Sequence, residues 1–133
     1  MFRTIVNMDY VLTPTIPDLI IMQSTLAFST TVLDYVRSRK DVPLKDILFF
    51  WNRMKKRTNV GIYKSYSEVM KELRLTVLDS TLPDLCRYEK EITHSQRAFF
   101  RCTLLPPPVR QLEGSGLAEL AEELIVKLKL KQP

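Results

Sequence analysis

Apolar residues in this chain fall into short continuous runs, separated by stretches in which they recur every third or fourth position. The run Tyr10-Val11-Leu12-Thr13-Pro14 is stopped by proline and has the length and β-branched content of a strand buried on both faces. Ile16 and Pro17 supply a turn, and Asp18 is placed to cap a helix over 18–39, because Leu19, Met22, Leu26, Ser29, Leu33 and Val36 recur at helical spacing. Leu19, Met22, Leu26 and Leu33 are its expected buried stripe. Pro43 interrupts, and Ile47-Leu48-Phe49-Phe50-Trp51 reads as a second strand opening into a polar, basic loop over 52–59. Ile62, Tyr66, Val69, Met70 and Leu73 outline a second amphipathic helix, and 75–78 a third short strand ahead of Asp79-Ser80-Thr81.

Strand alternating with helix implies parallel βαβ units with right-handed crossovers. The expected fold is therefore α/β, a three- to four-stranded, mainly parallel sheet flanked by helices, in a single domain over 1–133. Beyond the third strand the pattern is less regular. A short helix is expected within 83–96 and an extended segment over 99–105, ended by Pro106-Pro107-Pro108. After Gly114-Ser115-Gly116 a last helix runs over 117–129. Leu117, Leu120, Leu124, Ile125 and Leu128 share one face, and Glu119, Glu122, Glu123 and Lys127 lie elsewhere. Its polar face is too acidic for anionic lipid, so it is expected to pack on the sheet.

With 45% hydrophobic and 26% charged residues in 133, the chain has the means to bury a modest core and is not disordered. No run approaches the ~18–20 uninterrupted apolar residues of a membrane span. Arg3, Asn7 and Asp9 break up the first stretch, which lacks the apolar block of a secretory signal, so the expected location is cytoplasmic. Cys86 and Cys102 are too few for a disulfide framework and lack zinc-ligand spacing; they read as reduced thiols, and His94 as a loop residue. No metal site is expected. The only three glycines, Gly61, Gly114 and Gly116, do not form a G-x-x-x-x-G-K-[ST] loop, so nothing in the chain wraps backbone N–H groups around a triphosphate. The net charge of +5 permits a polyanionic partner. More telling is its distribution: Arg53, Lys55, Lys56 and Arg57 put four cations in five residues without an intervening acid. Cations grouped in this way neutralise phosphates and release counterions, giving weak affinity that falls steeply with salt.

Four local sequences, in order, resemble the C-terminal half of the ParA family, the deviant-Walker partition ATPases related to MinD. Asp9-Tyr10-Val11-Leu12-Thr13-Pro14 resembles that family's "aDyvliP" strand and Ile47-Leu48-Phe49-Phe50-Trp51-Asn52 its "ill-x-N" strand end. Arg57-Thr58-Asn59-Val60-Gly61 resembles "RTnlG", and Leu82-Pro83-Asp84 the "iPd/iPr" turn. More narrowly, the chain is similar to the ParA-type TraA proteins of conjugative transposons. The resemblance implies the C-terminal part of a P-loop NTPase fold without the phosphate loop and the magnesium-binding acid, hence no catalysis by this chain alone. ATP and Mg²⁺ would enter only if another segment completed the site.

Carried over residue by residue, the resemblance makes Arg57 and Arg87 contacts for nonspecific duplex DNA, helped by Lys55, Lys56 and Arg53. It makes Asn52, Pro83 and Asp84 the remnant of a base-binding wall. Two other readings stand beside this one: an ATPase half that needs a phosphate-loop segment, and an interaction module for a partition or mobilisation protein. In the family the first strand is flanked by the phosphate-loop strand. Here its edge is expected to be covered, either by residues 1–7 folding back or by a second copy in a two-fold dimer.

Overall fold

The computed structural model describes residues 2–55, 60–85 and 109–130. Its elements are α1 (Phe2–Ile5), β1 (Tyr10–Thr15), α2 (Leu19–Arg37), β2 (Asp46–Met54), α3 (Val60–Glu72), β3 (Thr76–Pro83), α4 (Val109–Leu112) and α5 (Leu117–Lys127). The strands form one open parallel sheet in the order β1-β2-β3, with β2 at its centre. The expected α/β architecture is thus present, with three strands. The expected elements within 83–96 and over 99–105, with Cys86, His94 and Cys102, lie outside the described residues or almost wholly so.

Period-two alternation along β2 sorts the helices onto two faces. Ile47, Phe49 and Trp51 point to one side, where they join Met22 and Val32 of α2 and Met70 of α3 in the main core. Phe50 points to the other, where it meets Leu78 of β3 and Leu120 of α5. β2 therefore reads as a continuous apolar run because both its faces are covered.

β1 departs from the expected burial on both faces. Tyr10 and Leu12 are 37% and 42% exposed, and only Thr15 is buried, its hydroxyl donating to the Phe50 carbonyl at 3.0 Å. Among the described residues β1 has one neighbouring strand, so no second flank hides it. Residues 2–5 form a helix, not a strand laid along that edge, although Ile5 and Val6 pack into the main core.

α2 starts where the capping argument places it. The Asp18 carboxylate accepts from the N–H groups of Ile20 and Ile21, both at 3.0 Å. The buried stripe is shifted from the expected one. Met22, Ser29 and Val32 are buried, Leu26 and Leu33 pack at the margin, and Leu19 is 61% exposed. Leu19 lies in the first turn and lines an open groove with Gly61, Ile62 and Tyr66. By length and composition α2 would also serve as a membrane span, with mean hydropathy 1.3.

β2 and β3 run further than their apolar residues predict. Asn52–Met54 extend β2 and Asp79–Pro83 extend β3, with irregular register: Phe49 pairs with Val77, Trp51 with Thr81, and Met54 with Pro83. β3 carries extra residues between the first two pairs, so the N–H groups of Asp79 and Ser80 need partners outside the regular ladder. Glu123 of α5 supplies them. Its Oε1 accepts from Asp79 at 2.9 Å and its Oε2 from Ser80 at 2.8 Å. This residue, expected on the polar face, fastens α5 to the sheet.

The Glu123 carboxyl is held below its ordinary value. Burial alone would raise it, but the Ser80 hydroxyl, the two backbone N–H donors and Lys127 together outweigh burial. A lowered folded-state value means that this stabilisation is full above the unfolded value, near 4.5, and is lost as pH falls through the folded one. Glu123→Ala should cost about 1.5–3 kcal/mol at neutral pH, measured by urea denaturation. Glu123→Gln should lose less stability than wild type between neutrality and strong acid.

Candidate nucleic-acid interface

The carboxyl ends of all three parallel strands open on one rim of the sheet, the place where ligands sit in open α/β folds. β2 and β3 end level there, Met54 opposite Pro83, and one further bond ties them: the Asp84 N–H donates to the Met54 carbonyl at 3.0 Å. The basic run after β2 and the proline segment after β3 therefore leave the sheet side by side. Residues that are about thirty positions apart in sequence meet only because β2 and β3 are adjacent and parallel.

Arg53 is the pivot of this rim. One extra residue on β2 between Trp51 and Met54 puts Arg53 into the left-handed region, with φ 54°. Its N–H donates to Asn52 Oδ1 at 2.9 Å, and its Nε lies 3.4 Å from Asp84 Oδ1. The pair is more than half exposed on the arginine side, so it adds little to stability. It does aim the guanidinium across the gap between the strand ends. Because left-handed backbone costs a non-glycine residue about 1–2 kcal/mol, Arg53→Gly should leave stability within about 1 kcal/mol of wild type. Thermal denaturation checks this, and the variant then serves as a folded probe of binding.

Of the other expected site residues, Lys55 is exposed just beyond β2, and Asn52, Pro83 and Asp84 are half-buried at the strand ends. The structure thus brings Asn52, Arg53, Lys55, Pro83 and Asp84 to one rim. Lys56, Arg57 and Arg87 lie outside the described residues. Asn52 Oδ1 accepts from the neighbouring Arg53 backbone N–H, which holds the Asn52 side chain against its own turn. At the same rim the Asp18 carboxylate already occupies the Ile20 and Ile21 N–H groups at the start of α2, which makes that helix end a poor phosphate site.

Sequence reasoning missed the residue that shapes the rim from the opposite face. Gly116 precedes α5 with φ 74°, and a Cβ there would run into the Thr81 carbonyl. The missing side chain lets the first turn of α5 sit directly on the end of β3. Glycine flanked by Ser115 and a helical pattern signals a turn, but not this close approach. Among the described residues, no group of three or more His, Cys, Asp or Glu is arranged to hold a metal ion. Comparison with protein-family models, curated proteins and solved structures returned no match to this chain.

Proposed function

We propose that this chain is a cytoplasmic, ParA-like protein of the partition or conjugative-transfer type that binds duplex DNA weakly and without sequence preference, and has no ATPase activity of its own. The observation that carries the reading is the level ending of β2 and β3, which makes one rim the origin of both cation-bearing segments. Arg53 and Lys55 already lie on that rim. Phosphate contacts of this kind fix a protein on the duplex without reading bases. Asp84 beside Arg53 orients the guanidinium but also tempers the local positive charge, in keeping with weak binding.

Fluorescence anisotropy with a random-sequence duplex tests this at two salt concentrations. Wild type should bind with affinity that falls steeply as salt rises. In the Arg57→Glu/Arg87→Glu variant the slope of log K against log salt should shrink by about 2, with circular dichroism showing an unchanged fold. Folded wild-type protein that ignores DNA would leave the interaction-module reading in its place.

A further inference from the structure

β1 is an edge strand of the described sheet. Among the described residues no strand pairs with its outer edge. The Asp9 carbonyl accepts from Lys45 N–H at 2.8 Å and so faces β2. Main-chain groups alternate along a strand, so those of Tyr10, Leu12 and Pro14 face outward. Pro14, which has no N–H to offer, fits that position. No charged residue lies within β1, so the usual device against edge-to-edge pairing is missing apart from this one proline.

We propose that a second copy of this chain pairs antiparallel with β1 about a two-fold axis through Leu12, joining two three-stranded sheets into one of six. In this register Leu12 faces Leu12 of the other copy and exchanges two hydrogen bonds with it. Each Tyr10 N–H donates to the Pro14 carbonyl opposite. The proline defect falls at both ends of the seam and leaves its centre intact.

Side chains support the same partner. Tyr10 and Leu12 project on the side away from the main core, which Val11 joins; across the axis Leu12 meets its own copy and Tyr10 meets Pro14. At the same edge, Ile5, Ser24 and Phe28 line an open pocket of about 380 Å³ with Val11, Leu12 and Pro14. Ile21, Ser24, Phe28 and Thr31 follow one stripe of α2, and Ile21 and Phe28 are 40% and 42% exposed. Tyr10, Leu12, Ile21 and Phe28 leave roughly 60–100 Å² each uncovered. With the strand edges and the hydroxyl-bearing flank of α2, two copies approach the ~1,200 Å² at which specific interfaces begin. The nearest charges, Asp9 and Lys45, are paired at 2.9 Å, and Asp9 falls opposite Thr15 of the partner, so no like charges oppose each other along the seam.

Sedimentation equilibrium should show a wild-type dimer. Leu12→Lys, at a position 42% exposed, should raise its dissociation constant at least tenfold, and Val126→Lys, at a still more exposed position on α5, should not. In a Cys86→Ser/Cys102→Ser background, Leu12→Cys should form an intermolecular disulfide on mild oxidation. Facing residues in such a pair lie about 5.5 Å apart at Cα. Tyr10→Cys should not cross-link, because Tyr10 faces Pro14. A monomer at near-millimolar concentration, a dimer indifferent to Leu12→Lys, or cross-linking through Tyr10→Cys in place of Leu12→Cys would overturn the proposal. If Leu12→Lys fails to fold, the two cysteine variants decide the register alone.

Discussion

Trp51→Ala is expected to cost about 3–5 kcal/mol, a large part of what a domain of this size has. Trp51 is fully buried on the central strand, and its ring meets Tyr63 of α3 at 4.9 Å between centroids, tilted by 55°. It lies where the core of β2 gives way to the rim, so truncation would open a cavity beneath Asn52 and Arg53. Its indole N–H has no partner among the described residues, and that orphaned donor counts against the native state. Trp51→Phe removes the donor along with part of the ring, so it should cost clearly less than half as much as alanine. Urea denaturation of both variants gives the comparison. Equal losses would mean that the indole N–H is satisfied in solution.

Gly116→Ala is the second large effect, about 2–4 kcal/mol. Two penalties combine, the left-handed backbone at φ 74° and the collision with the Thr81 carbonyl, flanked by Leu82 and Pro83 side-chain atoms at 3.3 and 3.5 Å. Backbone atoms of a paired strand have little freedom to retreat. Gly114 provides the control: its φ is 65°, yet a Cβ there meets nothing within 4 Å. Gly114→Ala should therefore cost only the conformational share, about 1–2 kcal/mol. A matched pair of melting curves separates close approach from backbone preference. Because Gly116 seats α5 on the end of β3, its alanine variant should also loosen the rim around Pro83 and Asp84.

Periodicity was enough to expose three strands, their parallel direction and the helices between them, because short continuous apolar runs alternate with apolar residues at helical spacing. Where it failed, the cause was tertiary. Leu19 has the right spacing for the buried stripe, but it sits in the first turn of α2 and faces an open groove. Leu12 looks like a core residue of a β-branched run, and whether its strand has one neighbour or two is not written locally. Asp79–Thr81 and Asn52–Met54 read as loop by composition, yet pairing between β2 and β3 carries both strands through them. Glu123 reads as one more acid on a solvated face. Its role depends on an irregularity in β3 that no local pattern announces.

The rim was legible in a different way. The cluster of cations after β2 is visible by inspection, and the resemblance supplied Arg57 and Arg87 as a pair. That the two segments start from level, adjacent strand ends follows from the register, Met54 opposite Pro83. The left-handed conformation of Arg53 and its pairing with Asp84 had no sequence signal, since arginine has no special preference for such backbone.

The most direct test of DNA binding at the rim is a backbone amide NMR titration of the full chain with a short random-sequence duplex at low salt. Shift changes should concentrate at Asn52, Arg53 and Lys55 and in residues 56–59 and 84–88, and fade together as salt is raised. Changes centred instead on Lys64 and Lys71 of α3, or no changes at all with folded protein, would contradict binding at the rim.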